Sequence, residues 1–200
     1  SQARAEVATA SAPVSGLLSS PVMSAHNRYE AFVLASTNGI SETPGSTENI
    51  FLRDTCQGAP AGCTPSTTIQ SLAFNSNPAD GDSISPSISA DGRYVTFISL
   101  ATNLVDSDTN GVADVFVRDT CAGAPSGCVP TTQRVSIATS GIQANAGSTS
   151  AAIEADGRYV TFGSAATNLV PGSTSGSGVF LRDTCAGADT SCKPSTQQLN

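Results

Sequence analysis

The chain has 200 residues, of which 12% are charged, and its 16 acidic against 9 basic side chains give a formal net charge of −7. Neutralising phosphates takes clustered lysine and arginine, so this balance excludes a nucleic-acid partner and argues against anionic membrane surfaces. No apolar run approaches the roughly 20 residues of a membrane-crossing helix, and no membrane insertion is expected. The start at Ser1, without Met or a charged-then-apolar leader, is expected of a mature chain that has lost its signal or of an excised piece.

Taken in order, the chain is a repeat of about 65 residues. Gln2–Thr9 resembles Thr132–Thr139 and is expected to be an orphan fourth strand, with residues 1–15 as strand and linker. The repeats are expected at 16–75, 76–139 and 140–200, in a single repeat domain spanning 1–200. Asp91-Gly-Arg-Tyr-Val-Thr-Phe97 recurs unchanged at Asp156–Phe162, and residues 24–38 are a worn copy with His26-Asn27 in place of Asp-Gly. In the middle unit, strands are expected at Pro86–Ser89, Arg93–Ser99, Asp114–Asp119 and Thr132–Ala138, because short β-branched and aromatic runs alternate with Gly/Pro/Asn/Asp clusters. The Asp91-Gly92 pair favours a tight hairpin between the first two. Apolar residues on both faces of the second and third strands predict a sheet packed on both sides.

Each unit carries two cysteines seven positions apart: Cys56 and Cys63, Cys121 and Cys128, Cys185 and Cys192. The CxxC knuckles or histidines of a zinc site are missing, and so is a redox CxxC. Three local disulfides are expected, each worth about 2.5 kcal/mol on the loop-entropy model. They imply an oxidising location: secreted, cell-surface or periplasmic.

The stretches SxSADGRYVTFxS and VFVRDT resemble the WD40-like (PD40) repeat of TolB-type β-propellers, over essentially the whole chain. The resemblance implies an all-β fold of three four-stranded antiparallel blades plus the orphan strand. It further implies a first strand near a central channel, a fourth strand outermost, and a disulfide stapling the outer hairpin of each blade. Propellers usually have about four to eight blades, so three are expected to belong to a larger ring or to one completed by another molecule.

One loop has the chemistry of a cation site. Asp106-Ser-Asp108-Thr-Asn110-Gly111-Val112-Ala-Asp114 matches the first half of the calcium-loop pattern D-x-[DN]-x-[DN]-G, with Gly111 at the tight turn. One calcium ion is expected on the Asp106, Asp108, Asn110 and Asp114 side chains and the Val112 carbonyl, although Val117 stands where the closing Glu would be. A polar hairpin loop with local Asx turns is the alternative. The corresponding loops, Ser41–Asn49 and Pro171–Gly178, lack the pattern.

The repeated pairs Arg53/Asp54, Arg118/Asp119 and Arg182/Asp183 read as blade-stabilising groups, since one occurs per unit. His26 is the only histidine and falls in a turn, so no base is in view for a serine nucleophile. Asp80, Asp82, Asp91 and Glu154 are the carboxylates that would have to meet across a channel for glycoside chemistry. The expectation is a non-catalytic propeller module that binds a protein or polysaccharide, stabilised by calcium and disulfides. The alternatives are a self-assembling filament or surface protein that shares its orphan strand between copies, and the accessory propeller of a peptidase or polysaccharide-degrading enzyme.

Overall fold

The computed structural model describes residues 19–36, 47–173 and 176–199. Among them the secondary structure is all β, in twelve strands. The first four are β1 (Ser19–Met23), β2 (Tyr29–Ser36), β3 (Thr47–Asp54) and β4 (Ser66–Ile69). They are followed by β5 (Ser83–Ile88), β6 (Tyr94–Ser99), β7 (Asp114–Asp119) and β8 (Thr131–Arg134). The last four are β9 (Ser148–Ile153), β10 (Tyr159–Ser164), β11 (Gly178–Asp183) and β12 (Ser195–Gln198). Each group of four is a separate antiparallel sheet with its strands side by side in chain order. The orphan strand expected at Gln2–Thr9 lies outside the described residues.

The sheets stack face to face, as propeller blades do. Every residue of β6 is buried, because one of its faces meets the first blade and the other the third. One core joins Ala31, Val33, Ile50 and Leu52 of the first blade to Val95, Phe97 and Phe116 of the second. The next joins Ile98, Val115, Val117 and Val135 of the second blade to Val160, Phe162 and Phe180 of the third. Two-sided burial thus explains why the second and third strands read as continuous apolar runs. Antiparallel register sets Phe97 opposite Phe116, and equivalent pairs stack in all three blades with ring centroids 5.9, 5.9 and 5.6 Å apart.

Because the strands run as a meander, the loops sort to two ends. At one end are the turns between first and second strands together with the disulfide loops. Gly92, at φ 80°, supplies the left-handed residue of the β5–β6 turn, and Asp91 Oδ1 accepts from Ser89 Oγ and the Arg93 N–H. At the other end are the loops between second and third strands and the connections from blade to blade. Asp80 is part of that connection, accepting from the Thr102 N–H and Oγ1 at 2.7 Å each. Asn145 takes the same place one repeat later, accepting from the Thr167 N–H at 2.9 Å.

Candidate functional site

The disulfides form as expected: Cys56–Cys63, Cys121–Cys128 and Cys185–Cys192, each between the third and fourth strands of its blade. Each first cysteine sits at a positive φ of 61–62°, where a non-glycine residue needs outside support. That support is the preceding aspartate: Oδ1 of Asp54, Asp119 and Asp183 accepts the Cys56, Cys121 and Cys185 N–H at 2.8, 2.9 and 2.9 Å. These carboxylates lie close to the cysteine sulfurs, but sulfur held in a disulfide is no thiolate ligand, so these three groups are structural.

The same aspartates are clamped by the arginine of the first turn rather than by the arginine beside them. Arg28, Arg93 and Arg158 reach Asp54, Asp119 and Asp183 with two nitrogens each, the shortest contacts being 3.0, 2.8 and 2.7 Å. Neighbouring residues in a strand point to opposite faces, so Arg118 and Asp119 have separate environments. Arg118 and Arg182 instead donate to Thr132 and Thr196 on the adjacent fourth strand, at 3.0 Å each. The Arg158 clamp holds the Asp183 carboxyl below its ordinary range, with the Cys185 N–H reinforcing it. The expectation of blade-stabilising pairs therefore holds for the aspartates, with different partners.

The acidic loop of the middle blade is built differently. Asp114, the first residue of β7, is completely buried. Its Oδ1 accepts from Ser136 Oγ at 2.6 Å, and its Oδ2 accepts from Asn110 Nδ2 at 2.8 Å. Asp108 folds back beside it, and Arg134 closes the cluster from the end of β8. Nη2 of Arg134 lies 3.0 Å from Asp108 Oδ1, and its Nε lies 3.5 Å from Asp114 Oδ2. All three side chains are less than a tenth exposed. Burial raises the pKa of both carboxyls; Arg134 opposes this at Asp108, and the Ser136 and Asn110 hydrogen bonds oppose it at Asp114.

Asp108, Asn110 and Asp114 are thus brought together, whereas Asp106 is exposed at the rim. The donor set does not fit an ion in this arrangement. Oxygens that would face a dication face a guanidinium, and Asn110 turns its amide nitrogen toward Asp114. Calcium would need Arg134 to withdraw and Asn110 to rotate, leaving a buried cation without its partners.

Arg134 is the residue that the sequence reading missed. The signal for it lies in a comparison of the repeats. Register pairs Phe51 with Ile69, Phe116 with Arg134 and Phe180 with Gln198, so these three residues are equivalent. Asp114 likewise corresponds to Asn49 and Gly178. In the first blade Ser71 Oγ donates to Asn49 Oδ1 at 2.7 Å, the neutral counterpart of the Ser136–Asp114 bond. Only the middle repeat has the carboxylates, and only it has the arginine.

The remaining expected candidates do not converge. Asp80 and Asp82 precede β5 while Asp91 follows it, and Glu154 follows β9, so the two pairs stand at opposite ends of the blades. Asp82 accepts the Glu48 N–H at 2.9 Å. His26 is exposed in the first turn.

No family model and no curated protein matches the chain. Among solved structures it is similar to the β-propeller domain of the Trilobed protease from Pyrococcus furiosus, described as having an open velcro topology. The sequence identity is 13%, the match covers 91% of this chain and 43% of that one, and the TM-score is 0.47. It is also similar to Kuenenia stuttgartiensis hydrazine synthase, at 14% identity over 84% of this chain and 42% of that one, with a TM-score of 0.40. The chain spans less than half the length of either structure.

Proposed function

We propose that the chain is a non-catalytic binding module of propeller blades that works in an oxidising compartment, secreted, at the cell surface or in a periplasm, and recognises a protein partner. The observation that carries this reading is the loop end of the blades. Phe74, Leu100 and Ile142 stand there 65, 58 and 59% exposed, each from a different loop. The polar groups around them are already committed: Asp80 to Thr102, Asn103 to Pro78, and Asn168 to Gln143. A hydrogen-bonded loop surface with separate apolar side chains suits a protein interface, where a few such residues supply most of the binding energy. Polysaccharide recognition leans on aromatic platforms, and among these three only Phe74 is aromatic. The disulfide in every blade supports the oxidising compartment.

The triple variant Phe74→Ser, Leu100→Ser, Ile142→Ser tests this. It should melt like the parent, since the replaced side chains are exposed, and should lose the proteins that the parent captures from its own extracellular fraction by cross-linking. Equal capture by both, or retention of glycans in place of proteins, would contradict the reading.

A further inference from the structure

The packing between blades follows a rule that the third blade leaves open. Tyr29 of the first blade lies on Gly92 of the second, and Tyr94 of the second lies on Gly157 of the third. Only glycine is compatible with these contacts. A Cβ at position 92 would come within 2.5 Å of Tyr29 Cγ, and one at 157 within 2.7 Å of Tyr94 Cε2, distances that real Cβ atoms do not reach. A backbone ladder accompanies the rings: the Ala25 N–H donates to Ala90 O at 3.0 Å, and the Ala90 N–H donates to Ala155 O at 2.9 Å. Tyrosine, alanine and glycine therefore form a repeating joint.

On the third blade the donor half of that joint is unused. Tyr159 is half-buried, whereas Tyr29 and Tyr94 are buried. Among the described residues the Ala155 N–H has no acceptor, and Ala155 is exposed. Beside them is an open cavity of about 460 Å³ lined by Ala152, Ile153, Glu154, Tyr159, Thr161 and Leu181. Of the equivalent positions in the second blade, Ser89, Tyr94, Thr96 and Val117 are buried. Leu199 is 53% exposed, while its counterpart Val135 is fully buried.

We propose that this face of the third blade is the receiving surface for one further blade of the same repeat, carrying glycine at the second turn position. The ring of Tyr159 would lie on that glycine, and its alanine carbonyl would accept the Ala155 N–H. A second copy of this chain is not the occupant. Its second and third blades already hold Tyr29 and Tyr94 on their glycines, which leaves only its first blade. There Asn27 stands in the glycine position, at a left-handed φ of 56°, with a Cβ where the tyrosine ring must go. The first-blade face bearing Phe32, Leu34 and Phe51 is also already buried.

The chain has three tyrosines, one per blade, so nitration with tetranitromethane read by mass spectrometry reports each joint. In the 200-residue chain Tyr159 should react on the order of tenfold faster than Tyr29 or Tyr94, whose exposure needs local opening. The full chain is then extended at its C-terminus by a second copy of residues 140–199, with Tyr159→Phe in the added copy to keep the readout unique. Native Tyr159 should become protected, and Gly157→Asn in the added copy should restore its reactivity. Protection by the asparagine version, or no protection by a folded glycine version, would overturn the proposal. So would concentration-dependent protection in the unextended chain, which would put a second copy on the face. Should the extension fail to fold, Gly157→Asn in the chain itself decides. Asparagine tolerates this φ, as Asn27 does, so a selective gain of reactivity at Tyr94 is expected, and an unchanged Tyr94 would remove the joint on which the proposal stands.

Discussion

Arg134→Ala should destabilise the chain by about 3–5 kcal/mol, the cost of leaving buried carboxylates without their cation. The whole chain has a stability on the order of 5–15 kcal/mol, so the variant should be largely unfolded at moderate denaturant. A second variant separates charge from packing. Asp108→Ser, Asp114→Gly and Arg134→Gln together install the third-blade residues Ser173, Gly178 and Gln198, removing the whole cluster at once. This triple variant should recover most of the loss, because replacing an entire buried ion cluster is often close to neutral. A pH series adds an independent check. Burial raises both carboxyl pKa values from the ordinary aspartate value. Such groups bind more protons folded than unfolded, so between the unfolded and folded pKa values their contribution to stability falls as pH rises. Without Arg134 that window widens upward, and the deficit of Arg134→Ala should shrink on acidification from neutral pH toward the unfolded carboxylate pKa. A deficit that is independent of pH would assign the loss to packing instead. These measurements are denaturant melts of the three proteins across pH.

Reducing the disulfides should have a comparable effect. Each closes a loop between cysteines seven residues apart and contributes about 2.5 kcal/mol through the unfolded chain, so three together approach the total stability. Reductant should therefore abolish the cooperative melt. The Cys121→Ser, Cys128→Ser double variant should lose only one share, since Asp119 still holds the Cys121 N–H and the Arg93 clamp. A melt unchanged by reductant would show that the loops add nothing beyond their hydrogen bonds.

Much of this fold was readable because the chain states it three times. The β6 and β7 runs, the Asp91-Gly92 turn and the cysteine spacing each recur at one period, so one correct unit gives all three. The expected fourth strand runs on to Ala138 because Val135 and Ile137 continue the alternation. In the structure the ladder ends at Arg134, where the chain turns into the connection to the next blade. The recurrence of Arg118 and Asp119 marks both as blade-stabilising but not their partners, because neighbouring strand residues face opposite sides and reach Thr132 and Arg93 respectively. The acidic loop shows the harder limit. Local spacing displays oxygens but not what they face, and Arg134 lies 20 positions beyond Asp114, past a disulfide loop, reaching it only through strand register.

The middle blade's carboxylates are neutralised from within, by Arg134. Melting the wild-type chain in excess calcium and in excess chelator tests it most directly. The wild-type chain should melt at one temperature in both, and Arg134→Ala should be low in both. A wild-type melting temperature that rises with calcium, and loses that response in Asp108→Ala, would contradict it and place an ion where the guanidinium stands.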